Sequence, residues 1–327
     1  MAIKTLVCVV GELRSEEVTF ESFESYVLKP CNADLLVCCP EKIISDSKYL
    51  DRANYFQLYS MGRGSTGHLE SIAKNLGASM HWKDILRKRG TWFGGLNDFR
   101  FKTYFFVLTQ ALFSSRGVVF KKVKDFVRPF WLLIFRGQGP LHQPGGGSYV
   151  FLFKYAALNY ILTHGLHDKY DRFIITRSDY LWRTLHPPLE LLDPDHVWIP
   201  SGEDHGGYCD RHWVLSSHHL VKCLDLLTEV FLDPTIIHSY DSGEDTFNSE
   251  KFVKMLWDKR GVSVRRFPLV QFLIRYSSQS ETWGAGKFVP ELGLTVAYPD
   301  EYEEAKTNSQ VLLCPEDWKL WSSHTTT

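Results

Sequence analysis

Two short, uninterrupted apolar runs near the amino terminus constrain this chain more than any other feature. Residues 5–10 (Thr-Leu-Val-Cys-Val-Val) end at Gly11, and residues 34–39 (Asp-Leu-Leu-Val-Cys-Cys) end at Pro40. A strand that is apolar at nearly every position is covered on both faces, as strands inside parallel sheets are. Between the two runs, Phe20, Phe23, Val27 and Leu28 recur at helical spacing, with Pro30 just beyond. A strand, a helix and a second strand form a βαβ opening, and its right-handed crossover predicts an α/β/α sandwich around a mostly parallel central sheet.

The later chain keeps the alternation. A helix is expected over 149–164, stopping at Gly165, then strands over 172–176 and 197–200, helices over 220–231 and 248–259, and a strand over 262–267. Between 41 and 147 the pattern weakens, with Gly62, Gly64 and Gly67 close together, a helix-like stretch at 99–113 and a glycine- and proline-rich loop at 137–147. The expectation is a single domain over 1–300, a variable insertion at about 41–147, and a polar, frayed tail at 301–327. A chain of 327 residues with 44% hydrophobic content can bury such a core.

The charge balance narrows the partners. With 37 basic and 38 acidic residues the formal net charge is -1, so no bulk field holds nucleic acid. The seven cysteines are odd in number and several lie in apolar runs, which reads as reduced core thiols. Met1 to Lys4 lead directly into the first strand without the apolar core and cleavage site of a signal peptide, and no run reaches the ~18 apolar residues of a membrane span. The expected location is cytoplasmic. The stretch 121–136 joins Lys121, Lys122, Lys124, Arg128 and Arg136 to Phe130, Trp131, Leu132, Leu133 and Ile134. It reads either as a peripheral membrane contact or as a core helix with solvated flanks.

Chemistry concentrates in two segments. Tyr170-Asp171-Arg172-Phe173-Ile174-Ile175-Thr176-Arg177-Ser178-Asp179 delivers Arg177 and Asp179 at the carboxyl end of an apolar strand, the edge where open α/β sheets bind ligands. A carboxylate there can hold a hard divalent ion that grips a diphosphate; the same residues can also simply cap the next helix. The second segment, 202–212, packs Glu203, Asp204, His205, Asp210, Arg211 and His212 among Gly202, Gly206 and Gly207. Glycines let a backbone approach a ligand.

Taken together, these two segments resemble a family of GT-A-like glycosyltransferases of algae and their large DNA viruses. Val-Cys-Val-Val-Gly-Glu-Leu-Arg at 7–14 is similar to that family's first strand and nucleotide loop, as are Asn248-Ser249-Glu250 and Phe272 to Arg275. The likeness spans roughly 5–276 and is weak over 41–147. It implies a GT-A fold and transfer of a sugar from a UDP- or GDP-linked donor to a glycan or glycoprotein acceptor, assisted by Mn2+ or Mg2+. By the resemblance Arg177-Ser178-Asp179 stands in place of the DXD motif, with Asp179 on the metal and Arg177 replacing the first aspartate. Gly11, Arg14, Ser178, Gly206, Gly207 and Arg211 would meet the nucleotide sugar, and Arg177 would either pair with phosphate or serve as a structural ion-pair partner. The residue types of His205 and His212 suit the metal, a contact to acceptor or phosphate, or a structural hydrogen bond.

Glycosyl transfer also calls for a base on the acceptor hydroxyl. Asp210 ranks first, because an apolar pattern resumes at 209–215 and would hold it at a strand edge, and Glu203 and Asp204 follow. Glu250 carries a carboxylate either into the site or onto a helix start. Two other readings stay open: a silent nucleotide- or glycan-binding protein of the same fold, and a zinc hydrolase drawing on Glu203, Asp204, His205, Cys209, Asp210 and His212 as possible ligands. The spacing there matches no compact zinc signature.

Overall fold

The computed structural model describes residues 3–41, 46–59, 71–78, 146–202, 204–233, 236, 249–275 and 286–325. Glu203, the 99–113 and 121–136 stretches and most of the 41–147 insertion lie outside the described residues, as does Asn248. The chain divides into two compact units. One comprises Met1–Gly62, Phe153–Leu226 and Ser249–Thr327; the other comprises Arg63–Leu152 with Leu227–Asn248.

The first unit holds a seven-stranded sheet in the order β3-β2-β1-β4-β7-β6-β8. Its strands are β1 (Thr5–Val10), β2 (Asp34–Pro40), β3 (Tyr55–Tyr59), β4 (Arg172–Thr176), β6 (Val197–Pro200), β7 (Trp213–Ser216) and β8 (Val264–Phe267). The pairings β1–β2, β1–β4, β2–β3 and β6–β8 are parallel, while β4–β7 and β6–β7 are antiparallel. Every residue of β1, β4, β6 and β7 is buried, so both faces of the central strands are covered, as their unbroken apolar pattern requires. The chain is thus an α/β protein with a mostly parallel central sheet. Between β1 and β2 the helix α1 (Glu16–Phe23) continues through one wider π turn at Glu24–Leu28, which turns Phe23, Val27 and Leu28 into the core.

A second sheet, in the order β10-β11-β9-β5, is antiparallel throughout. It consists of β5 (Tyr180–Trp182), β9 (Gln271–Arg275), β10 (Lys287–Val289) and β11 (Leu294–Val296). Residues 177–179 connect β4 of the large sheet to β5 of the small one, so the Arg-Ser-Asp segment is the link between the two sheets.

Two expectations are corrected. The 220–231 stretch forms two helices, Leu220–Leu224 and Thr228–Leu232, because the backbone leaves the helical path at Asp225. The described part of the expected frayed tail, 301–325, is ordered into helices. It forms the helices Pro299–Asn308 and Pro315–Thr325, with Pro at the start of each, where its missing N–H has no helical partner to lose. The first places Tyr302 and Ala305 against Phe272, Ile274 and Val296 of the small sheet. The second buries Trp318 in the main core beside Leu189, Leu192 and Trp198. All seven cysteines are free, and Cys8, Cys38, Cys39, Cys209 and Cys223 are buried.

Deleting a buried tryptophan leaves a large cavity. Trp318→Ala is therefore expected to cost about 3–5 kcal/mol of stability, measured by urea unfolding; a change within the error of that measurement would mean the last helix is dispensable to the core.

Candidate active site

The site assembles at the carboxyl edge of the parallel strands, and a serine holds it together. Ser178 is only 1% exposed. Its hydroxyl accepts a hydrogen bond from the backbone N–H of Arg14 at 2.9 Å and donates to the carbonyl of Glu12 at 3.2 Å. Its carbonyl accepts from the Thr19 hydroxyl of α1 at 2.7 Å and from the Tyr49 hydroxyl at 3.0 Å, Tyr49 lying on α2 (Lys48–Arg52). The loop after β1, α1 and α2 thus converge on this residue. Ser178 was expected to contact a nucleotide sugar, but its polar atoms are spent internally, and it acts instead by fixing Arg177 and Asp179 on either side.

Those two side chains close on each other. Arg177 donates from Nε to Asp179 Oδ1 at 2.8 Å and from Nη2 to Oδ2 at 2.6 Å, a two-pronged pair with Asp179 almost buried and Arg177 one-third exposed. Burial works against the Arg177 charge, but the adjacent Asp179 outweighs it and holds the guanidinium above its ordinary range. Arg14 is more open and pairs with Glu12 at the surface. Gly11, whose N–H donates to the Cys38 carbonyl at 3.0 Å, has φ +101 and open space where a side chain would begin. Its glycine is required by the turn that ends β1, since L side chains rarely adopt that φ.

The 202–212 segment folds into a loop whose groups mostly hold one another. Asp204 accepts from the Cys209 N–H at 3.0 Å and pairs with Arg266 at 2.6 Å, which removes it from the candidate bases. Arg211 is 4% exposed and pairs with Glu301 through both nitrogens, at 3.1 and 2.6 Å, while lying over the Tyr298 ring. It locks the loop to the Pro299–Asn308 helix instead of reaching for phosphate. Gly207 faces the start of the Ser249–Lys259 helix so closely that a Cβ would lie 2.0 Å from the Glu250 carbonyl carbon and oxygen, and Tyr208 N–H donates to that same oxygen at 3.1 Å. At Gly206 a Cβ would meet the Lys251 side chain at 2.9 Å. Both glycines serve loop-to-helix packing, which corrects their assignment to the nucleotide sugar.

His212 is also reassigned. It is fully buried, shares a hydrogen bond with the Thr176 hydroxyl at 3.0 Å, and nests among Tyr180, Trp182, His186 and Phe267. Burial, reinforced by His186, pushes its pKa well below the ordinary value, so it is a neutral core histidine. His205 is exposed, on a left-handed turn at φ 47 beside Tyr298. Among the described residues no group of three histidines, cysteines or carboxylates could hold a metal ion. With both oxygens of Asp179 engaged by a guanidinium, the described side chains do not fit the expected Mn2+ or Mg2+.

Of the loop's described carboxylates, the one left without an ion pair is Asp210, itself buried at 8% exposure. Its carbonyl accepts from the buried Lys154 ammonium at 2.6 Å, which anchors the backbone, while its carboxylate makes no ion pair or hydrogen bond among the described residues. Across from it stands Glu250, in the first turn of the Ser249–Lys259 helix. Burial and the Asp210 charge raise the Glu250 carboxyl to about 7, although the Ser249 hydroxyl donates to it at 2.8 Å. Burial lowers Lys154 to about 8, with Asp210 opposing. A buried carboxyl raised this far toward its neutral form is a group able to handle a proton. Sequence reasoning left Glu250 undecided and missed Lys154, for which the one signal was a lysine within the apolar 149–164 helix.

No family model and no curated protein matches this sequence. Among solved structures the chain is similar to the crystal structure of mouse Xyloside xylosyltransferase 1 in its apo form, at a TM-score of 0.40 and 9% sequence identity, with 82% of this chain and 86% of that chain covered.

The pair has a signature in stability. A Glu250 pKa raised above its ordinary 4.5 contributes stability that is complete below that value and lost as pH rises through about 7. Glu250→Gln, which stays neutral, is expected to raise the unfolding midpoint at pH 8 and leave it unchanged at pH 4; equal effects at both would show that the two carboxyls do not interact. Gly207→Ala is expected to destabilise by at least ~1–3 kcal/mol, since helix and loop must part.

Proposed function

We propose that this protein is a GT-A-like glycosyltransferase, which moves a sugar from a UDP- or GDP-linked donor to a hydroxyl of a glycan or glycoprotein. The observation that carries the reading is the pairing, on one sheet edge, of arginines able to meet a diphosphate with a carboxylate able to take a proton. Arg177 and Arg14 stand at the ends of β4 and β1, and Asp210 lies close enough to Arg177 to raise its pKa. The carboxyl edge of parallel strands is where such ligands bind.

In this reading the bond from the sugar's anomeric carbon to the donor phosphate breaks, and its electron pair leaves on the diphosphate. The acceptor oxygen bonds to that carbon and gives its proton to Asp210. Charge builds on the leaving group as it departs, so fixed cations beside it favour the transition state. Glu250, held near neutral, sets the charge beside Asp210. Lys154 fixes the Asp210 backbone so that its carboxylate keeps one position. A silent binding protein would share the arginine side of this site without needing an unpaired carboxylate, and Asp210 favours the enzyme.

The test is a panel of UDP- and GDP-linked sugars, with release of nucleoside diphosphate followed with and without glycan acceptors. Turnover is expected with at least one donor, and Asp210→Asn should lower kcat by roughly 100-fold or more with KM little changed. Donor binding with no turnover across the panel would select the silent reading. Full activity in Asp210→Asn would remove that residue from proton transfer.

A further inference from the structure

The metal expected from the family resemblance and the residues present disagree, and the disagreement has a structural cause. A hard divalent ion needs oxygen lone pairs free for it. At Asp179 the lone pairs nearest the edge are engaged by Arg177 in a two-pronged, largely buried pair, and a cation would have to displace a cation to use them.

A third arginine stands at the same spot. The small sheet pairs Tyr180 with Leu273 and Trp182 with Gln271, and the ladder continues where the Ile274 N–H donates to the Asp179 carbonyl at 3.1 Å. One further step of this antiparallel register sets Arg275 opposite Ser178. Arg14 is bonded to Ser178 through its backbone, and Arg177 precedes it in the chain. The ends of β1, β4 and β9 therefore bring three arginines round one serine. Arg275 is half-buried, and its Nε is buried without a hydrogen-bond partner among the described residues. Burial lowers its pKa, Arg177 and Arg14 add to that, and Tyr298 and Asp179 oppose them. A guanidinium held beside two others with a buried donor unspent has the chemistry to receive an anion. The Arg14–Glu12 pair is solvent-exposed and worth little, so Arg14 can turn to a phosphate.

We propose that Arg14, Arg177 and Arg275 together receive the diphosphate of the donor, and that these fixed cations serve in place of a divalent metal. This rests on the glycosyltransferase reading and specifies how its leaving group is held. The three guanidiniums stand beside the Asp179, Glu12 and Asp210 carboxylates, so the phosphates would be held by directed N–H donors and not by a net excess of charge. Planar N–H forks suit phosphate oxygens.

The test is calorimetric titration of the full chain with UDP and with GDP, in EDTA and in Mn2+. One of the two is expected to bind in EDTA with an affinity within about threefold of that in Mn2+. Arg275→Gln should weaken binding by about tenfold or more, equally in both conditions, as loss of a charged hydrogen bond does. Asp179→Asn, which releases Arg177, should preserve binding in EDTA. Binding that appears only with Mn2+ and is lost in Asp179→Asn would overturn the arginine site while leaving the nucleotide-sugar reading standing, and so would an Arg275→Gln variant of unchanged affinity. No binding of either nucleotide in either condition would remove the nucleotide site itself. Unfolding midpoints of each variant, read beside the titrations, separate loss of binding from loss of fold.

Discussion

Ser178 is the constraint on which the rest of the site depends. A residue joining two sheets could leave its neighbours free to swing, yet this one is bonded through both its hydroxyl and its carbonyl to the loop after β1, to α1 and to α2. The two bonds to its carbonyl are buried and the two to its hydroxyl part-buried, and an unpaired buried polar group costs about 1–3 kcal/mol, so the arrangement is hard to break one bond at a time. Arg177 and Asp179 therefore project from a fixed backbone, and their mutual pair needs little further ordering.

Arg14, Arg177 and Arg275 gather round Ser178, and Asp210, which acts on Glu250 and Lys154, lies within electrostatic reach of Arg177. Burial drives Glu250 toward its neutral form, whereas at Arg177 the Asp179 carboxylate keeps the guanidinium charged against the effect of burial. A reaction that separates a departing anion from a departing proton suits such an edge, since each charge finds its complement in place.

Much of the frame was legible in the sequence because burial on both faces of a strand leaves an unbroken apolar run. β1, β2, β4 and β6 were readable for that reason, and the helix over 249–259 through its amphipathic spacing. The strands of the small sheet were not, since three or five residues of mixed character carry no period long enough to recognise. The last two helices were misread because polar composition hides single buried residues such as Trp318. In the site, residue type pointed correctly to a dense polar loop but not to its wiring. Asp204, Arg211 and Gly207 looked like ligand residues because ion pairs and close backbone packing draw on the same residue types as binding.

What the sequence alone determined is local: strand and helix periods, the βαβ opening, and the delivery of Arg177-Ser178-Asp179 at a strand end. Only the tertiary structure decided which charges meet. Arg177 closing on Asp179, Arg211 on Glu301, Asp210 facing Glu250 and Arg275 arriving opposite Ser178 all depend on sheet register and helix docking. The physical reason is range. Backbone preference and hydrophobic period act over a few residues and can be read along the chain, whereas Coulomb and hydrogen-bond partners are chosen by proximity in space, and these partners come from segments as far as 164 residues apart, as Arg14 and Ser178 do.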